Sequence, residues 1–224
     1  FLEGEDCLAT KLAFKEMGIN FETNKDGIIV HGSGLYGLKD PKKEIYLGNS
    51  GTSIRLLSGI LSGQKFSSTL IGDESLSSRP MSRIIEPLSL MGANIKSQNS
   101  GRPPLKISKS GTLNSINYDL PISSAQVKSC ILFASLYSEG KTILREKKIT
   151  RNHTEIMFKQ FGVPVTTRDT SDGRYVEMRS PSKLKSTEID IPGDFSSAAF
   201  FILAALIIPN SNLIIKNVGM NETR

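Results

Sequence analysis

Three stretches of this 224-residue chain read alike: "YLGNSGTSIRLLSGIL" from Tyr46, "DLPISSAQVKSCILFASL" from Asp119 and "DIPGDFSSAAFFILAAL" from Asp190. Each is a short strand, a turn of small residues and an apolar helix. With Gly48, Pro121 and Pro192 as markers, the steps are 73 and 71 residues. A fixed period constrains the fold more than any local propensity does. Every copy must build the same supersecondary unit and bury its apolar face on its neighbours.

The remainder of the unit follows from the same comparison. After each helix comes a β-rich run, "SSTLIGDESL", "KTILREKKI" or "SNLIIKNVGM". Next stands a polar turn with an arginine, "SSRPM", "TRNHTE" or "NETR", and in the first two copies an amphipathic helix follows. Those helices end at "MGANI" from Met91 and "FGVPV" from Phe161, and "MGINF" stands at Met17. Glycine at a helix end followed by a strand is a stop signal. Hairpins close the units: "NIKSQNSGRPPLKIS", "VPVTTRDTSDGRYVEM" and, earlier, "NFETNKDGIIVHG" with Asp26-Gly27 at the tip. The unit reads β-α-β-α-β-β. The chain is expected to hold the tail of one copy, two full copies and the head of a fourth, in an α/β fold with right-handed crossovers.

Composition narrows the function classes. At 38% hydrophobic and 22% charged residues the chain matches a soluble globular protein. Its longest apolar run, "AAFFILAALII" (198–208), falls short of the roughly 20 residues that span a bilayer. No secretory signal pattern is visible. Cys7 and Cys130 are isolated and are expected to be buried, reduced thiols of a cytoplasmic protein. The net charge of +6 suits anionic ligands, but the basic residues are scattered rather than clustered, which argues against nucleic acid. His31 and His153 lie far apart with no acidic or thiol partners at ligand spacing, so no metal is expected. The opening "FLEGED", without an initiator Met, and the closing "GMNETR" read as cut ends of a longer protein.

The repeated helix starts carry the functional signal. Helices are predicted to begin at Ser50–Thr52, Ser123–Gln126 and Asp194–Ser197, each with capping residues. Such residues cap helices in any protein. Gathered at one end by a pseudo-symmetric fold, however, the same starts would converge their unpaired N–H groups on one spot suited to phosphate or carboxylate. Arg55, Arg79, Lys128 and Arg151 lie near equivalent turns, and arginine forks match such anions.

Together "LGNSGTSIRLLSGIL", "GDESLSSRPM", "PISSAQVKSCIL", "RNHTE" and "IPGDFSSAAFF" resemble the EPSP synthase family, the 3-phosphoshikimate 1-carboxyvinyltransferases, over essentially the whole chain. "SAQVK", "RNHTE" and "NETR" resemble its class II branch, known for glyphosate tolerance. The resemblance implies repeated β-α-β-α-β-β units around a pseudo-threefold axis, helices inside and sheets outside. It further implies transfer of the enolpyruvyl group of phosphoenolpyruvate to the 5-hydroxyl of shikimate 3-phosphate, without metal or cofactor, by a protein monomeric at full length. Residues 1–189 would form the shikimate-phosphate domain, and 190–224 the hinge and the start of a second domain.

Carried over by position, Asn49, Gly51, Arg79 and Gln126 resemble the phosphoenolpyruvate contacts. Ser124, Ala125, Gln126, Thr150 and Arg151 resemble the shikimate 3-phosphate contacts. Arg55 would support the loop, and His153 falls within the class II motif. Alanine at the Gly51 position is a route to glyphosate tolerance in the family; this chain keeps glycine. The family's N-terminal "GDKS" lysine and its catalytic Asp and Glu have no counterpart in these residues, so the chain is expected to bind substrate and to be incomplete for catalysis. Two alternatives remain. One is an enolpyruvyl transferase with another acceptor, such as UDP-N-acetylglucosamine, against which the cysteine-free "GDESLSSRPM" speaks. The other is a non-catalytic ligand-binding module.

Overall fold

The structure, a computed structural model, describes residues 3–223. The chain divides into two compact units, Phe1–Ser186 and Thr187–Arg224. The first unit opens with a repeat tail, helix α1 (Glu5–Glu16) and the hairpin β1 (Asn20–Thr23) and β2 (Ile28–His31). The first full copy runs β3 (Ile45–Tyr46), α2 (Gly51–Ser62), β4 (Ser68–Ile71), a short α3 (Glu74–Ser77), α4 (Ser82–Leu90), β5 (Asn94–Gln98) and β6 (Arg102–Ser108). A two-residue strand β7 (Leu113–Asn114) leads into the second copy. That copy comprises β8 (Asn117–Asp119), α5 (Ala125–Ser135), a short β9 (Ser138–Glu139), β10 (Lys141–Glu146), α6 (His153–Gln160), β11 (Val165–Thr170) and β12 (Gly173–Arg179).

The two copies share one topology. Their sheets are ordered β3-β4-β6-β5 and β8-β10-β12-β11. In each, the first two strands are parallel and joined through a helix, and the closing hairpin lies antiparallel beside the second strand. All three helix stops have the same construction. Gly18, Gly92 and Gly162 take φ values of +85°, +92° and +78°, where a Cβ would be strained. The next N–H then reaches back five residues, Ile19 to Phe14, Ala93 to Leu88 and Val163 to Phe158, at 3.0, 2.9 and 2.8 Å. This is the Schellman arrangement with its apolar pair.

Helices lie inside and sheets outside. Strands β4, β6 and β10 bury alternate residues, including Leu70, Leu105, Ile107 and Leu144, as expected of sheets with one covered face. Helices α2 and α5 are buried over most of their surface. Their core serines bond back to their own helices, Ser58 Oγ to the Ile54 carbonyl at 2.7 Å and Ser135 Oγ to the Ile131 carbonyl at 2.8 Å. The two helices approach closely at Gly59. A Cβ there would stand 2.2 Å from the Cys130 carbonyl oxygen and 3.3 Å from the Ala134 nitrogen.

Three sequence expectations need correction. "DESL", read as part of a β-rich run, is a helical turn, because Asp73 caps it by accepting from the Leu76 N–H at 2.7 Å. Cys7 is only half-buried, whereas Cys130 is fully buried, with its thiol pushed well above its usual pKa by burial. In the second unit, α7 (Phe195–Ile207) is capped by Asp194 as expected, but the "SNLIIKNVGM" run forms no strand ladder. Among the described residues of this unit it has only the single bridge between Gly193 and Val218. The arginine of "NETR", Arg224, lies outside the described residues. Among the described residues, no helix is long and apolar enough to cross a membrane.

The Gly59 contact gives a stability prediction. Gly59→Ala sets a methyl against backbone atoms that cannot swing aside, so it should cost about 3 kcal/mol. For a unit of this size that lowers the thermal midpoint by about 6–12 °C. An unchanged midpoint in calorimetry would show that the two helices have slack.

Candidate functional site

Helix α2 begins in the turn that follows β3. Gly48, at a φ of +56°, reverses the chain, and its carbonyl accepts from the Asp73 N–H at 2.9 Å. Ser50 caps the helix, its Oγ accepting from the Ser53 N–H at 3.1 Å. The hydroxyls continue outward: Ser50 Oγ to Ser53 Oγ is 2.7 Å, and Ser53 Oγ to Thr10 Oγ1 on α1 is 2.6 Å. The start of α2 is thereby tied to the middle of α1.

Helix α5 starts beside them. Ser124 caps it with a long bond, its Oγ accepting from the Val127 N–H at 3.5 Å, which leaves the hydroxyl proton available. Gln126, in the first turn, spans the gap. Its Nε2 donates to Thr52 Oγ1 at 2.8 Å, and its Oε1 accepts from Arg55 Nη1 at 2.8 Å. The same Arg55 nitrogen donates to the Gly51 carbonyl at 3.1 Å. Arg55 thus supports the loop.

Two guanidinium groups flank Gly51. A Cβ on this residue would lie 2.8 Å from Arg55 Nη1 and 3.0 Å from Arg79 Nη1. Arg79 is held by its own Nη2, which donates to Ser75 Oγ at 3.1 Å. Burial, and then the positive charges of Arg79 and Arg83, push the Arg55 guanidinium below its usual pKa. Among the described residues none of these three arginines has a carboxylate partner. Positive charge crowded without a counter-ion, at the positive ends of two helices, is an arrangement suited to an anion.

A second cluster lies beneath the start of α5. Lys128, fully buried, places Nζ 3.2 Å from Glu146 Oε1 and 2.7 Å from Glu155 Oε1. It also donates to the Thr150 carbonyl at 3.4 Å. Glu146 accepts from the Thr150 N–H at 3.2 Å and from its hydroxyl at 2.7 Å. Lys148 N–H donates to Ser123 Oγ at 3.2 Å, joining the turn after β10 to the entry of α5.

The structure therefore brings Gly51, Arg79 and Gln126 together at the start of α2, with Asn49 exposed in the same turn. Ser124 and Ala125 stand half-buried at the start of α5. Thr150 has both donors committed to Glu146, and the next residue, Arg151, is exposed without a hydrogen bond or ion pair among the described residues. His153 opens α6. Sequence reasoning missed Thr52 and Ser75, which hold Gln126 and Arg79, and it missed Glu146 and Glu155. Lys128 was visible in "SAQVK", but nothing in the sequence marked partners 18 and 27 positions away. Among the described residues, no group of three or more His, Cys, Asp or Glu could hold a metal ion.

Comparison with known proteins bears on this geometry. A family profile described as EPSP synthase (3-phosphoshikimate 1-carboxyvinyltransferase) matches residues 1–224. Proteins named 3-phosphoshikimate 1-carboxyvinyltransferase from Oceanobacillus iheyensis and Methylococcus capsulatus are 50% and 51% identical over 225 residues, which is 100% of this chain and 51% of each of theirs. A solved structure of EPSP synthase from Acinetobacter baumannii superposes with a TM-score of 0.90 at 49% identity, covering 100% of this chain and 50% of that one. The chain spans about half the length of the curated relatives it matches.

The site geometry predicts how Gly51→Ala behaves. Its methyl meets the ends of flexible arginine side chains rather than backbone, so the thermal midpoint should move by about 2 °C or less. Inorganic phosphate affinity, read by calorimetry, should fall on the order of tenfold, equivalent to about 1.4 kcal/mol. Affinity of the unsubstituted chain should also weaken with added salt. Equal affinity in the two proteins would place the anion elsewhere.

Proposed function

The chain belongs to the EPSP synthase family, and on that premise we propose that it carries the acceptor side of an enolpyruvyl transferase. The whole protein would move the enolpyruvyl group of phosphoenolpyruvate to the 5-hydroxyl of shikimate 3-phosphate, releasing phosphate. Residues 1–189 would be the shikimate-phosphate domain, and 190–224 the hinge and the beginning of a second domain. The whole protein would act as a monomer on small molecules, in the cytoplasm, where the free Cys7 and Cys130 of this chain would stay reduced.

One observation carries this reading: Gln126 bridges two helix starts, one flanked by arginines without a carboxylate partner among the described residues and the other capped by Ser124, whose hydroxyl accepts from the Val127 N–H. The α2 start, with Gly51 and Arg79, would take the phosphoenolpyruvate anion. The α5 start would take the acceptor phosphate through the Ser124 hydroxyl, the N–H groups of the first turn and Arg151. Proton transfer during the reaction needs positioned acid and base groups. Glu146 and Glu155, the carboxylates of the cluster beneath α5, are buried on Lys128, and the acid–base groups are assigned to the remainder of the protein.

Calorimetric titration of shikimate 3-phosphate into the chain tests this. Saturable binding is expected, weakened on the order of tenfold in both Ser124→Ala and Arg151→Ala, because each loses a charged-group hydrogen bond. Binding indifferent to both variants would move the phosphate away from α5. Full turnover by these 224 residues alone would overturn the division of labour.

A further inference from the structure

We propose that Lys128, Glu146 and Glu155 form a buried clamp that positions Thr150 and Arg151 against the start of α5; the inference rests on the acceptor-phosphate reading above. Lys128 sits in the first turn of α5, the helix whose start carries Ser124, Ala125 and Gln126. Its ammonium, fully buried, reaches three separate pieces of chain at once. These are the end of β10 through Glu146, the first turn of α6 through Glu155, and the turn between them through the Thr150 carbonyl. Glu146 grips Thr150 from the other side, taking both its N–H and its hydroxyl. Thr150 is thus fixed at its backbone donor, its backbone acceptor and its side chain, and the residue that follows is the exposed Arg151.

This construction is more than core packing requires. A buried ammonium facing two carboxylates is expensive to desolvate, and hydrophobic residues of equal volume usually stabilise a core at least as well. Here the cluster also leaves Glu155 Oε2 buried without a hydrogen-bond partner among the described residues, and the Oε1 contact is a close ion pair rather than an aligned hydrogen bond. What the charges add is geometric specificity. They hold two segments, 124–126 and 150–151, that are far apart in sequence and must face one phosphate together. Glu155 gains further from its place in the first turn of α6, where the helix dipole favours a carboxylate. Lys128, Glu146 and Glu155 are positioning residues, acting through Thr150 and Arg151.

Two measurements on the full 224-residue chain test the clamp. Amide hydrogen exchange reads it directly: in Lys128→Met, exchange at Thr150 should quicken on the order of tenfold while amides in α2 are unchanged. Unchanged exchange at Thr150 overturns the clamp. If Lys128→Met does not fold, Glu155→Gln, which keeps the volume and removes one charge, should show the same change in the same direction. Shikimate 3-phosphate titration then reads the purpose. Lys128→Met should weaken binding on the order of tenfold alone, yet add little in an Arg151→Ala background, because both act through one contact. Equal factors in the two backgrounds would mean a structural role only and overturn the positioning claim. A folded parent chain that fails to bind overturns the acceptor reading instead, while the exchange measurement still decides the clamp.

Discussion

The close contact of Gly59 with the Cys130 carbonyl fixes how α2 and α5 lie together, and the site depends on that placement. Thr52 meets Gln126 at the helix starts, and Gly59 meets Cys130 and Ala134 further along, so the two helices run side by side in the same direction. Parallel helices place like dipole ends together, which is unfavourable without compensation. Their positive ends converge where Arg55 and Arg79 add more positive charge. Close packing of apolar and back-bonded serine surfaces holds the helices in this arrangement, and an anion at the shared end would relieve it.

Much of this was legible in the sequence because it is local and repeated. The Schellman stops at Gly18, Gly92 and Gly162 and the caps Ser50, Ser124 and Asp194 need only a few adjacent residues. The repeat also foretold that both copies build the same β-α-β-α-β-β unit, and their two sheets share one strand order. Local signals misled where two of them competed. "DESL" follows a strand, yet Asp73 turns it into a helix by capping. The "SNLII" run has strand-forming residues, but a strand also needs a neighbour, and among the described residues the second unit offers only the Gly193–Val218 bridge. Pairings across the site were out of reach for a different reason. Gln126 with Thr52, and Lys128 with Glu155, are 74 and 27 positions apart, and no periodicity encodes which polar side chains meet.

The two halves of the site handle charge in opposite ways. Under α5, Lys128 is enclosed with two carboxylates, so its charge is internally answered and serves geometry. At α2, Arg55 and Arg79 flank a glycine, and among the described residues neither has a carboxylate partner, so their charge is left unanswered. Such repulsion lowers the stability of the folded chain and persists only because other contacts fix each group. Arg55 is held by the Gly51 carbonyl and Gln126, and Arg79 by Ser75. A ligand that binds the folded state alone stabilises it by mass action. An anion here would do so and would also remove a repulsion already present between Arg55 and its neighbours Arg79 and Arg83. The α5 half is held instead by the buried ion pairs of Lys128 with Glu146 and Glu155.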